Sequence, residues 1–279
     1  MINFIHACLN LRWRVSVCPD RSRVKLSAVT AYLDGNPPRA FAHRGWHVGA
    51  LAGLENSMRA FRRAYHEGFR YLETDVHATT DGQLVAFHDL SLGRVTDRPG
   101  QIAALSWAEV RQAKISGVEP IPLMAELLEE FPDARFNIDA KADPAVGPLA
   151  DLIRRTGAAD RVCLGSFSDR RIASLRALVG PRVATSMGPR EVFRLVRAAR
   201  LRRPFVTSAV AAQVPVAFSR VRIVTSGFLR TAHRTGLEVH VWTIDDPDEM
   251  RRLLDLGVDG LMSDRPDLLR QVLTERGAW

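Results

Sequence analysis

"SMRAFRRAYHEGFRYLETDVHATTDG" spans residues 57–82 and holds one helix-to-strand unit. Met58, Phe61 and Tyr65 recur at i, i+3 and i+7, which lays apolar side chains along one helical face. Gly68 then closes the helix, because glycine accepts the left-handed backbone that helix ends favour. Residues 71–77 follow as a strand. The unit recurs along the chain. "DRRIASLRALVG" (169–180) carries Ile172, Leu175 and Leu178, and "PDEMRRLLDLG" (247–257) carries Met250, Leu253 and Leu254. Strands are predicted at 40–43, 71–77, 135–140, 162–166, 182–186, 212–216, 238–243 and 259–262, with helical patterns between most of them. Strand–helix alternation repeated about eight times predicts an α/β chain closed as a (β/α)8 TIM barrel. An open doubly wound sheet would want a glycine-rich phosphate turn after its first strand. "HRGWHVG" (43–49) is not G-x-G-x-x-G.

Residues 89–121 interrupt the rhythm. They are too long for a turn, contain a predicted short helix at 106–114, and read as a small insertion after the second strand. Barrel active sites lie at the C-terminal ends of the strands, so an insertion there covers the site. Residues 1–38 differ in composition and end in the turn-rich "GNPPRA". They are expected to form a loosely ordered N-terminal extension to a barrel domain at 39–279. The start "MINFIHACLNLRW" has no basic residue ahead of its apolar part, which makes it a poor signal peptide.

The 279 residues, 46% hydrophobic, suffice for one substantial core. No run approaches the roughly 18 apolar residues of a spanning helix. Cys8, Cys18 and Cys163 are too few and scattered for a disulfide framework or a zinc set, which fits a cytoplasmic, reducing setting. The net charge of +8 comes mostly from arginine. No basic stripe is interleaved with aromatics, so nucleic acid is not an expected partner. In "PREVFRLVRAARLRRP" (189–204), Val192, Leu195, Val196 and Ala199 share one helical face, and Arg194, Arg197 and Arg200 form a separate stripe. The ordinary reading is a barrel helix with a solvated arginine face. Peripheral contact with an anionic membrane is the most that the stretch suggests.

The residues able to carry chemistry end predicted strands. His43 and Arg44 end the first. Glu73, Asp75 and His77 alternate along the second, and a period of two puts them on one face. Carboxylates aimed into a barrel repel and lose solvation, so they stay ionised only beside a cation. Hard divalent ions prefer such oxygens. Asp81-Gly82 is a tight-turn signal, and Leu84–Phe87 makes a short returning strand that brings His88 beside the carboxylates. In "FNIDAKAD" (136–143), Asp139 and Lys141 share a face, as a third metal ligand with a neighbouring cation or as a buried ion pair. Glu73, Asp75 and Asp139 with one divalent ion, Arg44 and Lys141 sum to one positive charge, which suits a phosphodiester.

With these residues assembled, the chain resembles the glycerophosphodiester phosphodiesterase family. The likeness runs from "AHRG" through "ENSMRAF", "YLETDVHATTDGQLVAFHD", "NIDAK", "GSF" and "VHVWTID" to "GVDGLMSDRP", over residues 39–270. The resemblance implies a metal-dependent TIM barrel that hydrolyses glycerophosphodiesters to an alcohol and glycerol phosphate. It implies a general acid/base pair in His43 and His88. It makes Glu73, Asp75 and Asp139 ligands of one divalent metal, with Mg²⁺, Ca²⁺ and Mn²⁺ all suited to carboxylates. Arg44 and Lys141 would grip the phosphate, Trp242 would line the substrate cleft, and Glu55 and Asn56 would orient Arg44 and the ligands from behind. His47 gains no role. Departures from the family pattern are Asp139 where glutamate is usual, Ser57 and Leu123 where threonine is usual, and "SDRP" in place of "TDRP". The substrate would be a small phosphodiester or a lysophospholipid. Alternatives are a phospholipase D-like or phospholipase C-like lyase giving a cyclic phosphate, and a barrel that binds an anionic headgroup without turnover.

Overall fold

The computed structural model describes residues 31–279. Its main sheet contains eight parallel strands, β1 (Arg39–His43), β2 (Tyr71–Ala78), β3 (Arg135–Ala140), β4 (Val162–Gly165), β5 (Ala184–Thr185), β6 (Ala211–Val214), β7 (Glu238–Val241) and β8 (Gly260–Ser263). From β1 to β5 each strand pairs with the next, as do β6, β7 and β8, and β8 pairs back with β1. The seam lies between β5 and β6. There a single parallel bridge joins Ser186 to Ala211, backed by the Val210 N–H to Thr185 O bond at 3.0 Å. Each strand falls where the alternation predicts it, although β5 is shorter than the expected 182–186.

One helix precedes each next strand: α1 (Met58–His66), α2 (Met124–Glu130), α3 (Val146–Thr156), α4 (Asp169–Val179), α5 (Pro189–Arg200), α6 (Ser226–Arg234), α7 (Pro247–Leu256), with α8 (Pro266–Glu275) last. Local chemistry sets their ends. The Ser57 hydroxyl accepts the Ala60 N–H at 3.1 Å and starts α1, so serine supplies the cap as threonine would. Asp246 caps α7 ahead of Pro247, and Gly257, at φ +95°, ends it. Leu123 offers no side-chain cap to α2; its own N–H is taken by Glu126 at 2.9 Å. The predicted stripe of α1 is deepest at Phe61, which is fully buried, while Met58 and Tyr65 are half-buried against the core. On α5, Leu195 is buried and Val192, Val196 and Ala199 rest on the core, so the barrel itself occupies that apolar face.

The insertion is less helical than expected. Instead of one helix over 106–114 it has a single turn, Trp107–Val110, two 3-10 turns and a minimal strand pair, Lys114–Ile115 with Glu119–Pro120. The helix stops because Ala113 and Ile115 turn into a small core with Leu92, Ile102, Val110 and Ile121. That core includes Val85 and Phe87, which fastens the insertion to the barrel. The returning strand, Leu84–Ala86, pairs antiparallel with β2 as predicted.

The other end of the barrel revises the expected boundary at residue 38. Tyr32 is fully buried and its ring meets that of Tyr71 edge-on at 5.5 Å. The Arg39 guanidinium, itself buried, donates to the carbonyls of Leu33, Asp34 and Gly35 at 2.7–2.9 Å and to Glu238 at 2.9 Å. Residues 31–38 therefore close the barrel floor, because their carbonyls satisfy the buried Arg39 guanidinium and the Tyr71 hydroxyl, which donates to the Tyr32 carbonyl at 2.8 Å. The rest of the expected 1–38 extension lies outside the described residues.

Candidate active site

Strand register brings the chemistry together at the C-terminal end of the barrel. His43 of β1 lies level with Glu73 of β2, and Asp75 lies level with Asp139 of β3. Glu73, Asp75 and Asp139 are all buried. The backbone turns sharply as β1 ends: Arg44 has φ +56° and Gly45 φ +85°. This turn lets consecutive residues His43 and Arg44 both reach the site. Gly45 has a second reason to be glycine, since a Cβ there would sit 2.9 Å from the Ala60 carbonyl carbon.

Two fixed cations pair with Asp75 and Asp139, and neither with Glu73. Lys141 Nζ lies 2.7 Å from Asp75 and 2.9 Å from Asp139. Arg44 Nε is 3.4 Å from Asp75, and another nitrogen of that guanidinium donates to Glu55 at 3.0 Å. Each carboxylate still has a buried oxygen without a hydrogen-bond partner: Glu73 Oε2, Asp75 Oδ2 and Asp139 Oδ1. Burial and the neighbouring Asp75 raise the proton affinity of Glu73. Burial likewise raises that of Asp139, against the pull of Lys141. Burial opposes the charge on Lys141, but Asp75 and Asp139 outweigh it and raise its pKa. Among the described residues no three His, Cys, Asp or Glu side chains converge as a preassembled metal cluster; the Lys141 ammonium bridges Asp75 and Asp139. The donor chemistry nevertheless fits a hard divalent ion, being all carboxylate oxygen with unmet acceptor capacity.

Each expected acid/base histidine is held at Nδ1 by an aspartate. His43 Nδ1 lies 2.6 Å from Asp264, and its Nε2 lies 3.6 Å from Glu73. Burial works against protonation of His43, but Glu73 and Asp264 prevail and raise its pKa. Asp264 stays well below the usual carboxylate range despite its burial, held there by His43 and His47. His88 Nδ1 lies 2.7 Å from Asp89, whose pKa Arg94 and His88 bring down to about 2. An ionised carboxylate only accepts, so Nδ1 carries the proton in both rings and Nε2 is the free nitrogen.

His88 joins the centre through a chain of charges rather than by contact with the carboxylates. Asp89 pairs with Arg94, Arg94 meets Glu55 at 2.7 Å, and Glu55 holds Arg44. Asn56 accepts the Thr74 hydroxyl at 2.8 Å, and its N–H fixes the Arg44 carbonyl at 2.9 Å. Glu55 thus meets the guanidinium and Asn56 the main chain of Arg44. His77 is buried, which lowers its pKa, and bonds the His88 carbonyl at 3.1 Å, so it ties down the returning segment. Trp242 packs edge-on against Phe167 at 5.4 Å, and Lys141 sits 5.4 Å over the Phe167 ring.

Sequence reasoning missed Asp264, Asp89, Arg94, Phe167 and the tie from His47, whose Nε2 lies 3.1 Å from Asp264. The position of Asp264 directly after β8 was a usable signal, because chemistry-bearing residues of a barrel sit there. Arg94, inside the insertion, had none.

Comparison with known proteins identifies the family. The glycerophosphoryl diester phosphodiesterase family model matches residues 43–268. The chain belongs to that family. It is therefore an enzyme of the phosphoric diester hydrolase class. A "Probable glycerophosphodiester phosphodiesterase 2" of Mycobacterium tuberculosis is 41% identical over 249 residues, 86% of this chain and 92% of that protein. Lysophospholipase D GDPD1 of Rattus norvegicus is 26% identical, over 86% of this chain and 87% of the relative. The fold is shared with an Oleispira antarctica phosphodiesterase solved with the product sn-glycerol-3-phosphate, at a TM-score of 0.70 and 22% identity, covering 85% of this chain and 97% of that one. Among the described residues of this family member, no helix is long and apolar enough to cross a membrane.

Proposed function

We propose that this enzyme hydrolyses small glycerophosphodiesters to an alcohol and glycerol phosphate, using a divalent ion held by Glu73, Asp75 and Asp139. One observation carries the metal: among the described residues, three buried carboxylates have only Lys141 and Arg44 as Lys or Arg side chains within 4.0 Å, neither of them on Glu73, and each keeps an oxygen without a hydrogen-bond donor. Such a site needs further positive charge to stay ionised. Mg²⁺, Ca²⁺ or Mn²⁺, when bound, supplies Lewis-acid stabilisation of charge on the phosphoryl group. Arg44 and Lys141 hold phosphoryl oxygens and stabilise the charge that develops on them. Proton transfer runs through the Nε2 atoms of His43 and His88. One takes a proton from the attacking water as its oxygen bonds phosphorus, and the other gives a proton to the alkoxide that leaves as the alcohol. Asp264 and Asp89 hold the two rings in that tautomer.

The test is a substrate panel with glycerophosphocholine, sphingomyelin and lysophosphatidylcholine, each run in EDTA and with each metal restored. Hydrolysis of glycerophosphocholine, lost in EDTA and regained with one of the three ions, is expected. Full turnover in EDTA would refute the metal; no turnover of any glycerophosphodiester would refute the substrate class.

A second substrate reading, lysophospholipid, is favoured by the 26% identical lysophospholipase D and by Phe167, 63% exposed beside Lys141 and Trp242. An acyl chain would cover such a ring. Faster turnover of lysophosphatidylcholine than of glycerophosphocholine would select this reading.

A further inference from the structure

We propose that the hairpin after β6, with the arginines it carries, docks on an anionic phospholipid surface. The first observation is the distribution of charge. Between Glu191 and Glu238 the chain has nine arginines and no acidic residue, which exceeds the net +8 of the whole protein. Many surface arginines elsewhere are paired, as Arg154 is with Asp151 and Arg252 with Glu249. Among the described residues, Arg194, Arg197, Arg200, Arg220 and Arg222 have no carboxylate within 4.0 Å. Arg220 and Arg222 thus give the hairpin an excess of positive charge, which attracts anionic surfaces.

The second observation is the shape of what carries that charge. Ala217–Phe218 and Val221–Arg222 form a two-stranded hairpin that is exposed throughout. Phe218 pairs directly with Val221, so the two side chains share one face of the ribbon. Phe218 is 73% exposed and Val221 40%. Ser219 and Arg220 make the tip. The base is fixed, because Ile223 and Val224 are buried and both donate to the Val216 carbonyl at 3.0–3.1 Å.

The hairpin follows the C-terminal end of β6, the same barrel end that carries His43, Asp75 and Asp139. A membrane bound there would face the mouth of the site. An apolar pair flanked by arginines matches a lipid interface, where the rings and methyls enter the headgroup layer and the guanidinium groups pair with phosphates. Nucleic acid would engage the arginines and leave Val221 without a partner.

Cosedimentation of the full chain tests the proposal, comparing phosphatidylcholine vesicles with vesicles that also contain phosphatidylglycerol. Binding is expected only to the anionic vesicles. Phe218→Ser with Val221→Ser, and separately Arg220→Glu with Arg222→Glu, should each lower that binding about tenfold or more. Thermal unfolding and hydrolysis of dissolved glycerophosphocholine should stay as in the wild type. Equal binding to both vesicle types would overturn the proposal. So would wild-type binding by both variants, or loss in the arginine variant alone, which would mean adsorption by charge without insertion. The docking goes beyond the proposed activity and needs no turnover for its test. Expected sedimentation by an enzyme inactive on glycerophosphocholine would count against the activity alone.

Discussion

At the scale of single residues, the site depends on what stands behind each reacting group. Asp264 is the clearest case. One of its oxygens accepts a hydrogen bond from His43 Nδ1–H and another from His47 Nε2–H. Asp264→Asn keeps the shape but replaces an acceptor-only group with an amide that can also donate, so the His43 tautomer is no longer fixed. We expect kcat to fall on the order of 10²- to 10⁴-fold with KM nearly unchanged, as for direct loss of an acid/base histidine. His43→Ala and His88→Ala should each fall in that same range. The carboxylate also helps to raise the His43 pKa. Its removal should therefore move the limb of the pH–rate profile that belongs to His43 to lower pH, whether His43 acts as acid or as base. A D264N profile that superposes on the wild type would refute the assignment. His47→Ala leaves the Asp264–His43 bond in place and should cost less than about tenfold, since it acts on His43 only through Asp264.

At the scale of elements, the turn between β1 and α1 decides whether His43 and Arg44 can serve one site. Gly45→Ala would put a methyl 2.9–3.0 Å from the backbone of Ala60 and Phe61 at a φ of +85°. A left-handed non-glycine residue costs about 1–3 kcal/mol, and the contact with α1 adds to that. We expect a lower urea midpoint with unchanged slope, and reduced activity in the folded fraction. Wild-type stability in this variant would show that the turn relaxes freely. The turn was legible, because neighbouring residues cannot share a strand face and a glycine follows them. So were β2, its returning partner and the carboxylate spacing, all fixed by period-two alternation. The insertion was less legible. Its helix ends at Val110 because Ala113 and Ile115 pack on Val85 and Phe87, contacts across sequence that no local periodicity encodes. The role of Tyr32 was hidden in the same way, since Tyr71 and the Arg39 guanidinium hold its segment from distant strands or turns.

At the scale of the whole molecule, the barrel gathers like charges at one end and must hold them there. Glu73, Asp75 and Asp139 arrive on two adjacent strands, and the register that aligns Asp75 with Asp139 leaves them no route apart. Lys141 and Arg44 relieve part of the repulsion, while the raised proton affinities of Glu73 and Asp139 mark what is left. These carboxylates were readable one by one in the sequence; that Lys141 bridges two of them depends on how their strands are paired, which sequence spacing does not give. A ligand that binds the folded chain and not the unfolded one stabilises it by about 2.7 kcal/mol at a hundredfold excess over Kd. For a chain of this size that corresponds to a rise in Tm of roughly 5–10 °C. We therefore expect Mg²⁺, Ca²⁺ or Mn²⁺ to raise the Tm of EDTA-treated enzyme by about that amount. Asp139→Asn should remove most of the rise. It should also leave the metal-free protein at least as stable as the wild type, because one buried charge is gone and Lys141 keeps Asp75. Calorimetry reads this without any turnover, so it separates failure to bind the ion from failure of the chemistry. A Tm unmoved by all three ions, with the wild-type chain folded and active in EDTA, would make Lys141 the permanent counter-ion of Asp75 and Asp139 and remove the metal from the site.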